Sequence, residues 1–357
     1  MTAGADVDIA IAGGGLTALA AAAVLARAGP EWRIALLADD AHAGAEHADA
    51  DARSDAFAEV RTMALSASSR EVFAALDLWS AIAVRSAAIT DIQVSERGGW
   101  GLARLGPAPG DAPFGQVIEN AELVRLLAAA VAACPNVGRA SGSNATPVPY
   151  PDHLEIQTGA GLLRARLLLV ADGTDSPLRA GFGIGVAARD YGNAALIATL
   201  TLAEPHRGIA YERFTPDGPM ALLPLPDRDG QSRASLVWVL PPERAAALAV
   251  APEPERRAEL QTAFGRRAGV ILGMGTPQLI PLRRCLAHEQ VRSRLVLVGN
   301  AAHSLHPVAG QGFNLTLRDL AALAQHLRAG ARADPGDLGV LAGYARARER
   351  DQWRTLQ

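Results

Sequence analysis

Three glycines stand together near the start of the chain: Gly13, Gly14 and Gly15, followed by Leu16, Thr17 and Ala18. They read G-x-G-x-x-A, the spacing of a turn that cradles a pyrophosphate. Each small residue has a physical reason. Gly13 allows a tight turn, and Gly15 lets backbone N–H groups come close to phosphates. Ala18 lets a helix sit tightly on a strand. The N-terminus of that helix stabilises the anion through its free N–H groups and its dipole. An acid after the next strand would accept ribose hydroxyls. Asp39 is the candidate, with Asp40 second. This chemistry says dinucleotide and does not choose among NAD, NADP and FAD. The bland alternative is a tight turn with no ligand.

The elements around the motif are those such a turn requires. Residues 8–12 read as a short buried strand, 16–28 as a helix closed by Gly29 and Pro30, and 33–37 as a second strand. Residues 9–26 carry no charge, so hydropathy alone suggests a membrane span or signal peptide. The glycine trio inside the run, and Asp6 and Asp8 before it, argue instead for strand, turn and helix. Two later segments repeat the pattern of a strand running into a motif. The strand 167–171 leads into Asp172-Gly173, with Asp175, Ser176 and Arg179 beyond. The strand 294–298 leads into Gly299, Asn300 and His303. Residues 305–314 then open a helix that runs to about Arg328.

Three motifs in this order resemble the class A flavoprotein aromatic hydroxylases, the single-component FAD-dependent monooxygenases. The run from Leu305 to Asp319, L-H-P-V-A-G-Q-G-F-N-L-x-L-R-D, resembles the ubiquinone-biosynthesis hydroxylases, nearest in the 2-octaprenyl-6-methoxyphenol hydroxylase branch. Residues 61–66, 117–120, 190–192 and 212–219 support the likeness, which spans nearly the whole chain.

The resemblance assigns roles residue by residue. Gly13 and Gly15 match the FAD pyrophosphate turn. Asp172 and Gly173, closed by Arg179, match a second fingerprint that serves both FAD and NAD(P)H. Gly299 and Asn300 match the segment that holds the ribityl chain. Many relatives carry Asp at the Asn300 position, and an amide can still hold a hydroxyl. The family's usual ribose acid falls at Ala38, one residue before Asp39. His306, Pro307, Gly310, Gln311, Gly312 and Phe313, running on to Asn314, form the loop at the flavin ring. The helix start there points at the pyrimidine edge, where reduced flavin carries negative charge. Gly310 and Gly312 keep side chains off a flat ring, and Pro307 stiffens the loop. Arg61 matches a segment near the isoalloxazine and the nicotinamide path; a surface ion pair is the other reading. Asn120 matches a position where a polar side chain contacts FAD; a helix cap is the other reading. His303 and His306 have the spacing of a metal pair. No third ligand lies near them, so they are read as shaping the flavin loop, and no metal is expected. No acid or base is assigned, since the family signature contains none.

The implied activity consumes NAD(P)H and O2. NAD(P)H reduces FAD, oxygen adds to give a flavin hydroperoxide, and an electron-rich phenol accepts the oxygen atom. The substrate would be a polyprenylated phenol of ubiquinone biosynthesis. Two alternatives remain: hydroxylation of a small soluble aromatic compound, and a non-catalytic flavin-fold accessory of a biosynthetic complex. A plain NAD dehydrogenase would leave the second and third motifs unexplained. The expected location is the cytoplasm, with peripheral contact on the inner face of the membrane or with a ubiquinone-biosynthesis complex.

Composition agrees with this class. A chain of 357 residues exceeds one ordinary core, so two joined domains are expected. Hydrophobic residues at 49% and charged residues at 20% are globular proportions. A formal charge of −3 gives no basic excess for nucleic acid. All 34 basic residues are arginine. Without lysine there is no Schiff-base or pyridoxal chemistry and no P-loop. Cys134 and Cys285 are too few for a disulfide framework and read as free thiols in a reduced, intracellular protein.

The expected fold is α/β. An FAD-binding, doubly wound, glutathione-reductase-like domain carries an inserted mixed or antiparallel β-sheet substrate domain. The FAD domain is expected to be discontinuous, over residues 1–75, 106–180 and 281–330. The substrate domain would take 76–105 and 181–280, with strands near 195–202, 220–225 and 234–240. Residues 331–357 read as a C-terminal helical segment, either trimmed or naturally short beside its relatives.

Overall fold

A computed structural model describes residues 6–38, 61–99, 101–108, 110–142, 146–304, 310–330 and 334–356. Asp39, Asp40, His306 and Pro307 lie outside the described residues. An eight-stranded sheet carries the glycine turn. Its central strands run in the order Leu295–Leu297, Gly161–Val170, Val7–Ala12, Ile34–Leu37 and Val137–Ala140, all parallel to their neighbours. The apolar runs of Val7–Ala12 and Ile34–Leu37 are buried on both faces, as parallel strands covered by helices must be.

The helix Leu16–Ala28 follows the turn directly. Ala18 and Ala20 to Ala22 are fully buried on it, and their lack of bulk lets the helix lie close to its neighbours. Those neighbours are the helices Asn120–Ala132 and Gln311–Ala329. Gly29 closes the first helix, donating its N–H to Leu25 O at 2.9 Å.

A nine-stranded sheet forms the second layer. Its main path is His303–Ser304, Gln278–Ala287, Val186–Leu202, Gln231–Leu240, Gly218–Arg228, Ile209–Thr215, Asp91–Glu96 and Leu102–Leu105. It is mostly antiparallel, but Ile209–Thr215 runs parallel to Asp91–Glu96. One face packs under the helices Pro242–Val250 and Glu253–Phe264, burying Trp238, Leu236 and Phe264. Each such large apolar side chain contributes about 1.5–3 kcal/mol of burial. The opposite face meets a three-stranded sheet of Thr62–Ser66, Gly115–Glu119 and Ala87–Ile89.

Sheet membership shifts the expected boundaries. The boundary at 281 would cut the strand Gln278–Ala287, which pairs along Val186–Leu202 to its end. The boundary at 76 precedes Ala87–Ile89, which pairs with Gly115–Glu119 rather than with the larger sheet. Short apolar runs identify strands, but they do not name the sheet a strand joins. Residues 338–356 form one helix, Leu338–Leu356, packed on Gln311–Ala329. Among the described residues, no helix is long and apolar enough to cross a membrane.

Candidate active site

The three motifs converge through close contacts of small residues. Gly13 holds φ at +130°, and its N–H bonds Leu37 O at 2.9 Å. A Cβ at Gly13 would lie 2.5 Å from Ala171 O, so the glycine turn sits directly on the end of the strand that leads to Asp172. Gly299 holds φ at +58°, and a Cβ there would meet the Thr17 side chain at 2.7 Å. Arg179 is buried, and its Nη1 donates to Ala301 O at 2.9 Å. The second motif is thereby fastened to the third.

A cavity of about 590 Å³ opens where the parallel strands end, the usual ligand position of an open α/β sheet. It runs from Leu37, Ala38 and Ile156, past Gly13 to Thr17 and Asp172-Gly173, to Asn300, Phe313 and Thr316. Arg61, Met63 and Asn120 line it from the three-stranded sheet and the helix beyond. Two polar atoms on this lining are buried with no hydrogen-bond partner among the described residues: Asn120 Oδ1 and Asp172 Oδ1. Such atoms are costly unless a ligand or water completes them. The helix Leu16–Ala28 starts at Gly15 with no side-chain cap, leaving its first N–H groups for an anion. At Gly312, where a Cβ would project, no described atom beyond its chain neighbours and its own helix backbone lies within 4 Å. An elongated cavity, a bare helix start, an open glycine face and two orphaned acceptors fit FAD.

Each expected residue among the described ones has a definite place. Gly13, Gly15, Arg61, Asn120, Asp172, Gly173, Asn300 and Phe313 line the cavity. Ala18 packs behind it in the helix core. Asn120 opens its helix, and its Oδ1 makes no capping bond. Arg61 is exposed at the cavity edge, and its carbonyl accepts the Asn120 N–H at 3.0 Å. Gly310 takes φ +58° at the start of Gln311–Ala329, and Gln311 is exposed. Asn314 lies behind the wall, 1% exposed. Its Oδ1 accepts from Ser66 N–H at 3.0 Å and Ser69 Oγ at 2.6 Å. Its Nδ2 donates to Ala64 O at 2.8 Å and Gly310 O at 3.0 Å. With those bonds made, Asn314 clamps the helix start to the Thr62–Ser66 strand. Thr17, Met63 and Thr316 also line the cavity, and the sequence reading missed them. Thr316 is the unspecified position of the L-x-L pattern; its place three residues after Phe313 on a helix was the available signal.

Burial pushes the Asp172 carboxyl above its ordinary value, partly offset by hydrogen bonds from Ser176 and the Leu178 N–H. The folded protein therefore keeps this proton to higher pH than the unfolded chain does. Stability from this group falls as pH rises from the unfolded pKa through the folded one, and the deficit is complete above both. Asp172→Asn is expected to raise the melting temperature of the cofactor-free protein at pH 7. The gain should shrink as pH falls below the carboxylate range. Scanning calorimetry at pH 4 and 7 checks this, and an unchanged midpoint at pH 7 would contradict the burial of the charge.

The sequence profile of the FAD binding domain family matches residues 150–357. The ubiquinone hydroxylase UbiL of Rhodospirillum rubrum is 32% identical over 348 residues, covering 96% of this chain and 78% of that protein. The chain belongs to the class A FAD-dependent monooxygenases, in the ubiquinone-biosynthesis hydroxylase family. Another member, the 3-demethoxyubiquinol 3-hydroxylase of Escherichia coli, is 34% identical over 88% of this chain and 78% of its own length. The class A fold extends to solved structures. PqsL of P. aeruginosa, in complex with 2-aminobenzoylacetate, superposes with a TM-score of 0.81 at 22% identity, over 98% of this chain and 94% of that one. This class A monooxygenase is an aromatic hydroxylase whose cofactor is FAD.

Proposed function

We propose that this chain hydroxylates a polyprenylated phenol on the route to ubiquinone, consuming NAD(P)H and O2. The observation that carries the reading is the cofactor cavity with its two orphaned acceptors, in a chain about one-third identical to ubiquinone hydroxylases. Bound FAD would supply the electron transfer and oxygen activation. The chain supplies the setting. Gly13 to Thr17 and the helix start offer N–H groups to the pyrophosphate. Asn300 holds the ribityl hydroxyls, and Asn120 and Asp172 offer acceptors to polar edges of the cofactor. Asp39 is the proposed ribose partner. Gly310 to Phe313 face the flavin ring, with His306 and Pro307 in the segment before them. Phe313 and Met63 give the cavity apolar wall, which keeps water from the reacting atoms. The Arg179 and Asn314 contacts hold these parts in register. The large sheet, from Asp91–Glu96 through Gln278–Ala287, forms the substrate side. A prenylated substrate resides in a membrane, so the enzyme would meet it by peripheral contact on the inner face or within an assembly.

A mass-spectrometric quinone profile of a source strain lacking this gene tests the reading. One under-hydroxylated polyprenylphenol is expected to accumulate, and the purified protein should retain FAD and oxidise NAD(P)H faster when that phenol is added. An unchanged profile, with small soluble phenols stimulating oxidation instead, would replace the substrate class. Bound FAD with no phenol-stimulated oxidation would leave an accessory role.

A further inference from the structure

His303 lies three residues beyond Asn300, and Asp319 three beyond Thr316. Asn300 and Thr316 are both cavity wall. His303 and Asp319 are each 1% exposed, and His303 Nε2 stands 2.8 Å from Asp319 Oδ2. This bond ties the turn Gly299–Ala301 to the third turn of Gln311–Ala329, behind the cavity. Asp319 is held in turn by the helix Leu338–Leu356. Arg348 Nε donates to Asp319 Oδ1 at 2.6 Å, and Gln352 Nε2 donates to Asp319 Oδ2 at 3.0 Å. Arg348 also pairs with Asp351, which accepts from Arg318 Nε at 2.8 Å. Gln352 Nε2 reaches back to Gln290 Oε1 at 3.0 Å.

The chemistry of the cluster is restrictive. A carboxylate only accepts, so His303 donates through Nε2. That leaves Nδ1, which is buried and has no hydrogen-bond partner among the described residues. Well-packed apolar side chains would close this space at less desolvation cost than a charged set. What the charged set adds is direction. Each bond has one length and one angle, so two wall segments that are distant in sequence are held at one separation.

We propose that Asp319 and Arg348 are positioning residues for the cofactor: through them the Leu338–Leu356 helix sets the spacing between Asn300 and the Phe313–Thr316 wall, and so the grip on FAD. The inference rests on the assignment of FAD to this cavity.

The test uses the full chain stripped of flavin and titrated back with FAD. Affinity is read by flavin fluorescence, the ring environment by visible circular dichroism, and stability by the melting point of the flavin-free protein. Arg348→Met is expected to weaken FAD binding about tenfold or more and to alter the flavin dichroism. Arg348→Lys should recover part of both, because it restores one donor to Asp319. Gln352→Leu should give a milder change of the same kind. Arg350→Met, on the exposed side of the same helix, should match wild type. A lower melting point for Arg348→Met, with wild-type affinity and dichroism, would make Arg348 a structural staple and overturn the proposal. Failure of the unaltered chain to bind FAD would overturn the cofactor assignment instead, so the two failures are separable.

Discussion

Glu119→Ala is expected to cost about 3–5 kcal/mol of stability, the typical penalty for leaving one partner of a buried ion pair uncompensated. Glu119 is 7% exposed and Arg233 4%. Glu119 Oε1 accepts from Arg233 Nη2 at 2.5 Å, and Oε2 from Arg228 Nη2 at 3.1 Å. Arg233 Nε already lacks a hydrogen-bond partner among the described residues, so the site has no slack for a second lost bond. The pair spans two layers. Glu119 ends the Gly115–Glu119 strand of the small sheet, and Arg233 sits on Gln231–Leu240 of the large one. Thr62 Oγ1, donating to Ser235 Oγ at 2.8 Å, crosses the same seam. Glu119 also immediately precedes Asn120, so the lost pair should loosen the cavity wall and weaken FAD binding. A double-mutant cycle separates these effects. Glu119→Leu with Arg233→Met should recover most of the stability, because no buried charge remains unpaired. The checks are chemical denaturation and flavin titration of wild type, Glu119→Ala, the single variants Glu119→Leu and Arg233→Met, and the double variant. A loss below about 1 kcal/mol for Glu119→Ala, the range of exposed pairs, would show that solvent reaches the seam.

This pair also shows where the sequence stops informing. Glu119 and Arg233 are 114 residues apart, and nothing in either segment names the other. Local signals worked where the cause is local. The helix expected over 16–28 is Leu16–Ala28, because Gly15 before it and Gly29 after it set both ends. Gly13 was legible because a pyrophosphate restricts residue type, and Asp172, Asn120, Asn300 and Phe313 through the family resemblance; all five line the cavity. Orientation was not legible. Asn314 was expected to face the cofactor, but its amide is taken up by Ala64, Ser66, Ser69 and Gly310. Three of those partners lie about 250 residues away and arrive only through sheet packing. Arg348 and Asp351 lie three apart on one helix, but nothing in that segment names Asp319, which Arg348 Nε meets at 2.6 Å.

Gly13→Ala should lower both the stability of the flavin-free protein and its affinity for FAD, while Gly312→Ala should lower affinity alone. The difference lies in what each new methyl group meets. At Gly13, φ is +130°, a conformation that costs a residue with a side chain roughly 1–3 kcal/mol by itself. The added Cβ would also stand 2.5 Å from Ala171 O and 2.9 Å from Ala171 C. These are backbone atoms of the central strand, which cannot rotate away as a side chain could. Either the glycine turn lifts or the strand end shifts, and both movements displace the N–H groups proposed to hold the pyrophosphate. An affinity loss beyond tenfold is expected. At Gly312 the methyl group would meet no described atom beyond its chain neighbours and its own helix backbone within 4 Å, and the residue lies in a helix. Alanine there should leave the flavin-free melting point unchanged or raise it, by up to about 1 kcal/mol of helix propensity. It would fill only the space assigned to the ring. Melting curves with and without FAD distinguish the two cases. If Gly312→Ala binds FAD like wild type, the ring does not lie against this helix start; if Gly13→Ala does, the turn is not the pyrophosphate cradle.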